Sequence, residues 1–269
     1  MSKKEQNQEI AVVETNTAIA VASAVDFFSD AGKGTKNADK DSFAIPFLSI
    51  LQPLSPQITD GIEGAKAGLF INSVTGEMTD VVQMIPVAFH RAFLRWQPRE
   101  KGGGYKGEFS PVDVETGNVE GLVKGDDGRY YVGGTNPKEH DTLKDTRSHF
   151  VLMVKADGSW SQALVSMSST QIKKSKRWLS QIQGLQMTGP GGQKFNPPSF
   201  SHLYEAKGVK EQNDQGVWFG WDMKLVGLVT DGAMYAAAKA FHAQILSGQV
   251  QVAPPVSEET ASGAPDGQF

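Results

Sequence analysis

The chain has 269 residues and no cysteine. That excludes disulfides, thiolate metal sites and a cysteine nucleophile, and it suits a reducing compartment. A global basic excess is also missing: 26 Lys and Arg stand against 30 Asp and Glu, for a formal net charge of −4. An anionic ligand would have to be met by a local asymmetry of charge. No apolar run approaches the length of a membrane span. The early apolar stretch Ile10 to Phe28 follows Lys3 and Lys4, and Ala22-Ser23-Ala24 looks like a cleavage site. Glu9, Glu14 and Asn16, however, break up the apolar core that a secretory signal needs.

Catalytic and metal motifs are missing too. Gly32-Lys33-Gly34-Thr35 fails as a phosphate-binding loop, because that pattern demands Ser or Thr directly after the lysine. The histidines, His90, His140, His149, His202 and His242, show no metal-helix spacing and have no cysteine to support them. Asp126-Asp127 sits in a Gly-rich turn without the alternate acids and closing Glu of a calcium loop. Gly-x-Ser-x-Gly is absent. The expectation is a non-enzymatic protein with no cofactor and no metal.

What is present begins with a polar, Ala-rich and Gly-dotted segment, expected to be a flexible arm over residues 1–40. A folded domain is expected over 41–248. The spacing predicts a hairpin over Leu69 to Met78. Val81 to Gln97 follows, as one long strand or as two meeting at Pro86. Alternation puts Val87, Phe89, Arg91, Phe93 and Arg95 on one face of it. Ala88, His90, Ala92, Leu94 and Trp96 take the other. Glu108 to Asp145 carries nine acids against four bases and reads as a surface excursion with one short strand near Arg129–Val132. His149–Lys155 and Ser159–Met167 flank an Asp157-Gly158 turn.

Thr170 to Met187 is the clearest helix, with Ser169 or Thr170 as its cap. Ile172, Trp178, Leu179, Ile182 and Leu185 line one side; Lys173, Lys174, Lys176 and Arg177 line the other. A Gly/Pro loop with Lys194 and Phe195 comes next. Two more strands are expected over Phe200–Val209 and Gly216–Val229. Asp231 caps a last helix through Leu246, with Met234, Ala238, Phe241 and Ile245 as its stripe. Hairpin order with two solid helices predicts an α+β fold on an antiparallel sheet, with an open barrel as one form of it.

Two regions interleave rings or cations in the way a single-stranded nucleic acid requires. Rings take unstacked bases, and cations take the phosphate string. The first is Phe89 to Lys106, with Phe89, Arg91, Phe93, Arg95, Trp96, Arg99, Lys101, Tyr105 and Lys106. The second is the helix bank Lys173, Lys174, Lys176 and Arg177, joined by Lys194. From Trp160 to Lys210 there are seven basic residues and one acid, Glu205. The bland alternative for both is a half-buried strand and a solvated helix face. Residues 249–269 form an acidic, Pro-bearing tail with Glu258, Glu259 and Asp266, ending in Phe269. Such an end suits partner docking, with Asp266 and Phe269 as its contacts; the alternative is an ordinary disordered terminus.

Several stretches resemble a bacteriophage protein family. They are Asp30–Gly34, Ile45-Pro46-Phe47-Leu48-Ser49-Ile50-Leu51-Gln52-Pro53-Leu54-Ser55-Pro56-Gln57, Gly68–Glu77, Ile85–Phe89, Trp96–Glu100 and Gly102–Gly107. The likeness is good over roughly residues 26 to 110 and loose beyond. The family is that of phage single-stranded DNA-binding proteins. One branch resembles the ssDNA-binding RNA polymerase cofactor of podoviruses, thought to hold melted promoter DNA and recruit the phage polymerase. The resemblance implies the host cytoplasm, single-stranded DNA as ligand, and phage RNA polymerase or replication proteins as partners through the tail. It also implies a fold distinct from other ssDNA-binding folds. A homo-oligomer stays open, as do a polymerase recruiter with DNA secondary and a virion structural protein. Ile45–Gln57, apolar, Pro-rich and uncharged, reads as structural.

Overall fold

A computed structural model describes residues 29–30, 33–35, 45–214, 216–248 and 250. The chain divides into two units, Met1–Phe43 and Ala44–Phe269. In the first, the described residues include an ion pair between Lys33 and Asp30. The second holds all the secondary structure that follows.

In chain order its elements are β1 (Leu48–Ile50), α1 (Pro56–Thr59), β2 (Phe70–Asn72), β3 (Met78–Thr79), β4 (Val81–Trp96) and β5 (Tyr105–Phe109). Then come α2 (Pro111–Glu115), β6 (Leu122–Lys124), β7 (Tyr130–Val132), β8 (Asp141–Val154), β9 (Trp160–Ser168) and α3 (Ile172–Gln183). The last are β10 (Met187–Thr188), β11 (Lys194–Phe195), β12 (His202–Asn213), β13 (Gly216–Leu228) and α4 (Gly232–Leu246). The fold is α+β on antiparallel sheet, as the hairpin order implies.

The long pair β4–β8 is the spine, in register from Gln83↔Val154 to Trp96↔Thr142. At one end it is flanked by β12 and β13 on the β4 side and by β9 on the β8 side. At the other end it is flanked by β5 and by β7 and β6. The first end curls into a half-barrel. Its interior takes Leu48, Phe70, Val82, Met84, Val151, Val165, Met167, Tyr204, Trp221 and Trp178 of α3. α4 covers the outer face, where Ala238 and Phe241 meet Ile85, Val87, Phe150, Leu152 and Phe200. Asp231 caps α4 as expected: its Oδ1 accepts from Ala233 N at 2.8 Å and Met234 N at 2.9 Å.

The Ile45–Gln57 stretch works as a structural seam. Leu48, Ile50 and Leu51 are buried, and Phe47 bridges to Leu164 of β9. Gln52 then imitates a strand residue against the β13 edge. Its Oε1 accepts from Phe219 N at 2.8 Å and its Nε2 donates to Phe219 O at 2.9 Å. Two edge groups that would otherwise invite another strand are thereby satisfied. Beside this seam the Gly68 carbonyl passes so close to Gly208 that a Cβ at Gly208 would sit 2.1 Å from it.

Four sequence expectations need correction. β4 is one strand, and Val87 bulges out of it between the Pro86↔Val151 and Ala88↔Phe150 pairs. The extra residue shifts the alternation, so Val87 joins Ile85 in the outer core and does not share the Phe89 face. Glu108–Asp145 is no mere excursion: α2, β6 and β7 build a core in which Phe93, Val114, Val119 and Leu143 are buried. Neither Ser169 nor Thr170 caps α3; a 3-10 turn over Ser169–Gln171 precedes it, and Ser169 takes φ 50°. α3 also stops at Gln183, and Met187 pairs with Phe195 in the short β10–β11 hairpin.

Candidate nucleic-acid interface

The face of β4 that carries Phe89, Arg91, Phe93 and Arg95 continues the half-barrel interior beyond α3. Phe89 keeps 39 % of its surface exposed. Its ring packs on His149 at 5.0 Å between centroids, and His149 packs on Trp178 at 4.6 Å. This stack ties the strand face to α3. His149 is fully buried, and its Nε2 lies 2.8 Å from Ser175 Oγ. Burial, helped by the Arg147 charge, pushes its pKa down to about 3, so it is neutral at pH 7. Below it, burial pushes the Tyr204 hydroxyl up to about 12.

The next three residues of that face are engaged by the acid-rich segment. Arg91 holds Asp145 in a two-pronged pair, Nε to Oδ1 at 3.2 Å and Nη2 to Oδ2 at 2.9 Å. Its Nη1 reaches Glu115 of α2 at 3.3 Å. The Asp145 hydrogen bond raises the Arg91 pKa further, against the opposing effect of burial. Arg95 Nε donates to Asp141 Oδ2 at 2.6 Å. Phe93 is 5 % exposed, edge-on to Tyr130 at 5.7 Å, with the Arg91 guanidinium 5.4 Å from its ring centre. A base cannot stack on a ring enclosed in this way, and cations already matched to carboxylates add little attraction for phosphate. Phe93, Arg91 and Arg95 therefore do not present the surface that alternation alone suggested.

The remaining members of this group sit at the distal end of the spine. Trp96 and Tyr105 are half-buried against each other at 5.8 Å, across the β4–β5 ladder. Arg99, Lys101 and Lys106 are exposed around the Gly102–Gly104 loop. Glu100 and Glu108 are exposed among them, and His90 Nε2 lies 3.2 Å from Glu108.

The α3 bank is different. Trp178 is fully buried and Ile182 packs on the same core, which turns Lys173, Lys176 and Arg177 to the outside. Lys174 is half-buried and paired with Glu211. The β10–β11 hairpin is fastened to the end of α3 by Asn196 Nδ2, which donates to Gln183 O at 2.7 Å and Leu185 O at 3.2 Å. It presents Lys194 and a Phe195 ring that is 42 % exposed. From Ser161 to Tyr204 the chain has no Asp or Glu.

Two residues of this surface escape a sequence reading. Phe195 is exposed only because a two-residue hairpin stands in the Gly189–Pro198 loop; its position beside Lys194 among glycines was the available signal. Trp218 reaches the bank through the β12–β13 register, which pairs it with Glu211. Its Nε1 donates to Glu211 Oε2 at 2.9 Å. Asp266 and Phe269 lie outside the described residues. Among the described residues, no group of three or more His, Asp or Glu is arranged to hold a metal ion, and no helix is long and apolar enough to cross a membrane.

A family model described as Pam3 phage gp34-like protein matches residues 13–251. Comparisons with the curated proteins and with the solved structures gave no match.

Proposed function

We propose that this chain, which belongs to the Pam3 phage gp34-like protein family, is a non-catalytic single-stranded DNA-binding protein. The observation that supports this reading is the stretch from Ser161 to Tyr204, which carries α3 and the β10–β11 hairpin and contains no Asp or Glu. There Lys176, Arg177 and Lys194 are exposed, and the ring of Phe195, next to Lys194 in the chain, is 42 % exposed. Phe89, joined to α3 through His149 and Trp178, offers a further ring. Base stacking on such rings contributes roughly 1–3 kcal/mol each and tolerates any base. Cations set phosphate affinity and its dependence on salt. In a phage, the task for this surface is to keep strands parted during replication or promoter opening. The acidic end with Asp266 and Phe269 engages the phage polymerase or replication proteins.

The test is a salt-titrated binding series with single-stranded and duplex oligonucleotides. With three to five phosphates met, log K falls with log salt at a slope of roughly −2 to −4, and single strands win over duplex. Salt-insensitive binding or equal affinity for duplex would sink the proposal.

A further inference from the structure

Lys174 belongs to the α3 surface, yet it differs from Lys176 and Arg177 in having an anion on it already. Its ammonium is held by Glu211 Oε1. The other oxygen of that carboxylate accepts the Trp218 indole N–H at 2.9 Å. Gly220, next on the same side of β13, leaves room for the group: a Cβ there would lie 2.8 Å from Glu211 Oε2. An ammonium, a fixed N–H donor and a glycine gap surrounding one anionic group make up an anion site. The Lys174 and Glu211 side chains keep 26 % and 25 % of their surface exposed, so a ligand can reach the site. Lys174 meets Glu211 through one oxygen and lacks the two-pronged geometry by which Arg91 holds Asp145, so a phosphate can compete for the same ammonium.

We infer that Lys174, Trp218 Nε1 and the space over Gly220 form a phosphate seat for single-stranded nucleic acid, and that Glu211 fills this seat in the free protein. The inference rests on the DNA-binding reading above and extends it to a specific anion contact. A strand that lies along α3 places one phosphate on Lys174, the Glu211 carboxylate moves out to solvent, and the Trp218 ring is beside the adjoining base.

The deciding variant is Glu211→Gln, whose amide oxygen still accepts the indole N–H. Measured with a thymidine homopolymer, it binds about fivefold tighter than the unaltered chain at 0.1 M salt, with a slope steeper by about 0.7. In a Lys174→Met background the same change gives no gain. If Glu211→Gln binds no tighter, or if the gain survives Lys174→Met and so reflects charge alone, the seat is overturned while the DNA-binding reading stands. If the unaltered chain shows no preference for single strands, both fall together. Should Glu211→Gln fail to fold, Lys174→Met by itself asks the same question. It removes the ammonium that the phosphate needs, keeps Trp218 and Gly220, lowers affinity about fivefold and flattens the slope by about 0.7; unchanged affinity overturns the seat.

Discussion

The β4 face and the α3 face carry similar residue types and have opposite electrostatic fates. On β4, Arg91 and Arg95 meet Asp145, Glu115 and Asp141, and Phe93 is closed over by Tyr130 and α2. On α3, the buried side of the helix uses Trp178 and Ile182; on the other side Lys176 and Arg177 are exposed and Lys174 meets Glu211 of β12, in a stretch that holds no acid of its own. The lesson is that a ring-and-cation pattern describes a binding surface only when the rest of the chain leaves it uncovered. The acid-rich segment between Glu108 and Asp145 is what separates the two: it folds back on β4, whereas on α3 the carboxylate that meets Lys174 is Glu211 of β12.

The comparison breaks most readily at the α3 face. A Lys176→Ala/Arg177→Ala/Lys194→Ala triple variant removes three phosphate contacts and flattens the salt slope by about 2. At 0.1 M salt, affinity for single strands then drops about a hundredfold by the same counterion count. Fluorescence anisotropy across a salt series measures both quantities, with thermal melting to check that the fold is intact. A triple variant that binds as well as the unaltered chain would show that α3 is merely a solvated face.

Much of this fold was legible in the sequence. The α3 and α4 stripes, the Asp231 cap and the Asp157-Gly158 hairpin depend on local spacing, and local spacing survives folding. The half-hidden part depended on long-range pairing. The Val87 bulge cannot be read from alternation, since it exists only relative to Pro86↔Val151 and Ala88↔Phe150 on the partner strand. Whether Arg91 is free depends on Asp145, fifty-four positions away in sequence. Trp218 and Glu211 likewise become neighbours of Lys174 only through the β12–β13 ladder and the packing of α3. Composition showed where cations and rings were plentiful; the ladder decided which of them were spent on the fold.

The joint between the two faces gives a second, smaller effect. His149, between Phe89 and Trp178, is neutral in the fold with a pKa of about 3, against an ordinary value of 6.5. Ser175 and Arg147 are the polar and charged groups that act on it, and Arg147 opposes protonation. The unfolded chain takes up the proton below pH 6.5 while the native state does not, so stability is full above 6.5 and falls as pH drops towards 3. The slope is about 1.4 kcal/mol per pH unit, or about 2 kcal/mol between pH 6.5 and 5. His202, also lowered by burial, adds in the same direction. Denaturant melts of the unaltered chain and of His149→Gln isolate the His149 share: the variant starts less stable but loses less on acidification. Parallel losses in both would place the pH dependence elsewhere.

The smallest effect on binding is the sharpest test of the contrast. Arg91→Ala/Arg95→Ala removes two guanidinium groups that composition alone ranks with the strongest phosphate ligands. Their partners say otherwise. Asp145 keeps Arg147, at 3.6 Å, and Asp141 and Glu115 lose the contacts described above. Deleting one side of a half-buried pair leaves a carboxylate under-satisfied, at a cost of about 1–2 kcal/mol after allowing for solvent screening. The double variant should therefore melt earlier while its affinity for single strands at 0.1 M salt changes by about twofold or less, since neither arginine has a free charge to give a phosphate. Losing the two guanidinium charges while their carboxylate partners stay leaves this end of the spine more acidic, so the residual change should be a slight weakening with the salt slope unaltered. A tenfold loss with a flatter slope would mean that DNA draws Arg91 and Arg95 away from their carboxylates, and that the covering segment opens when the strand arrives.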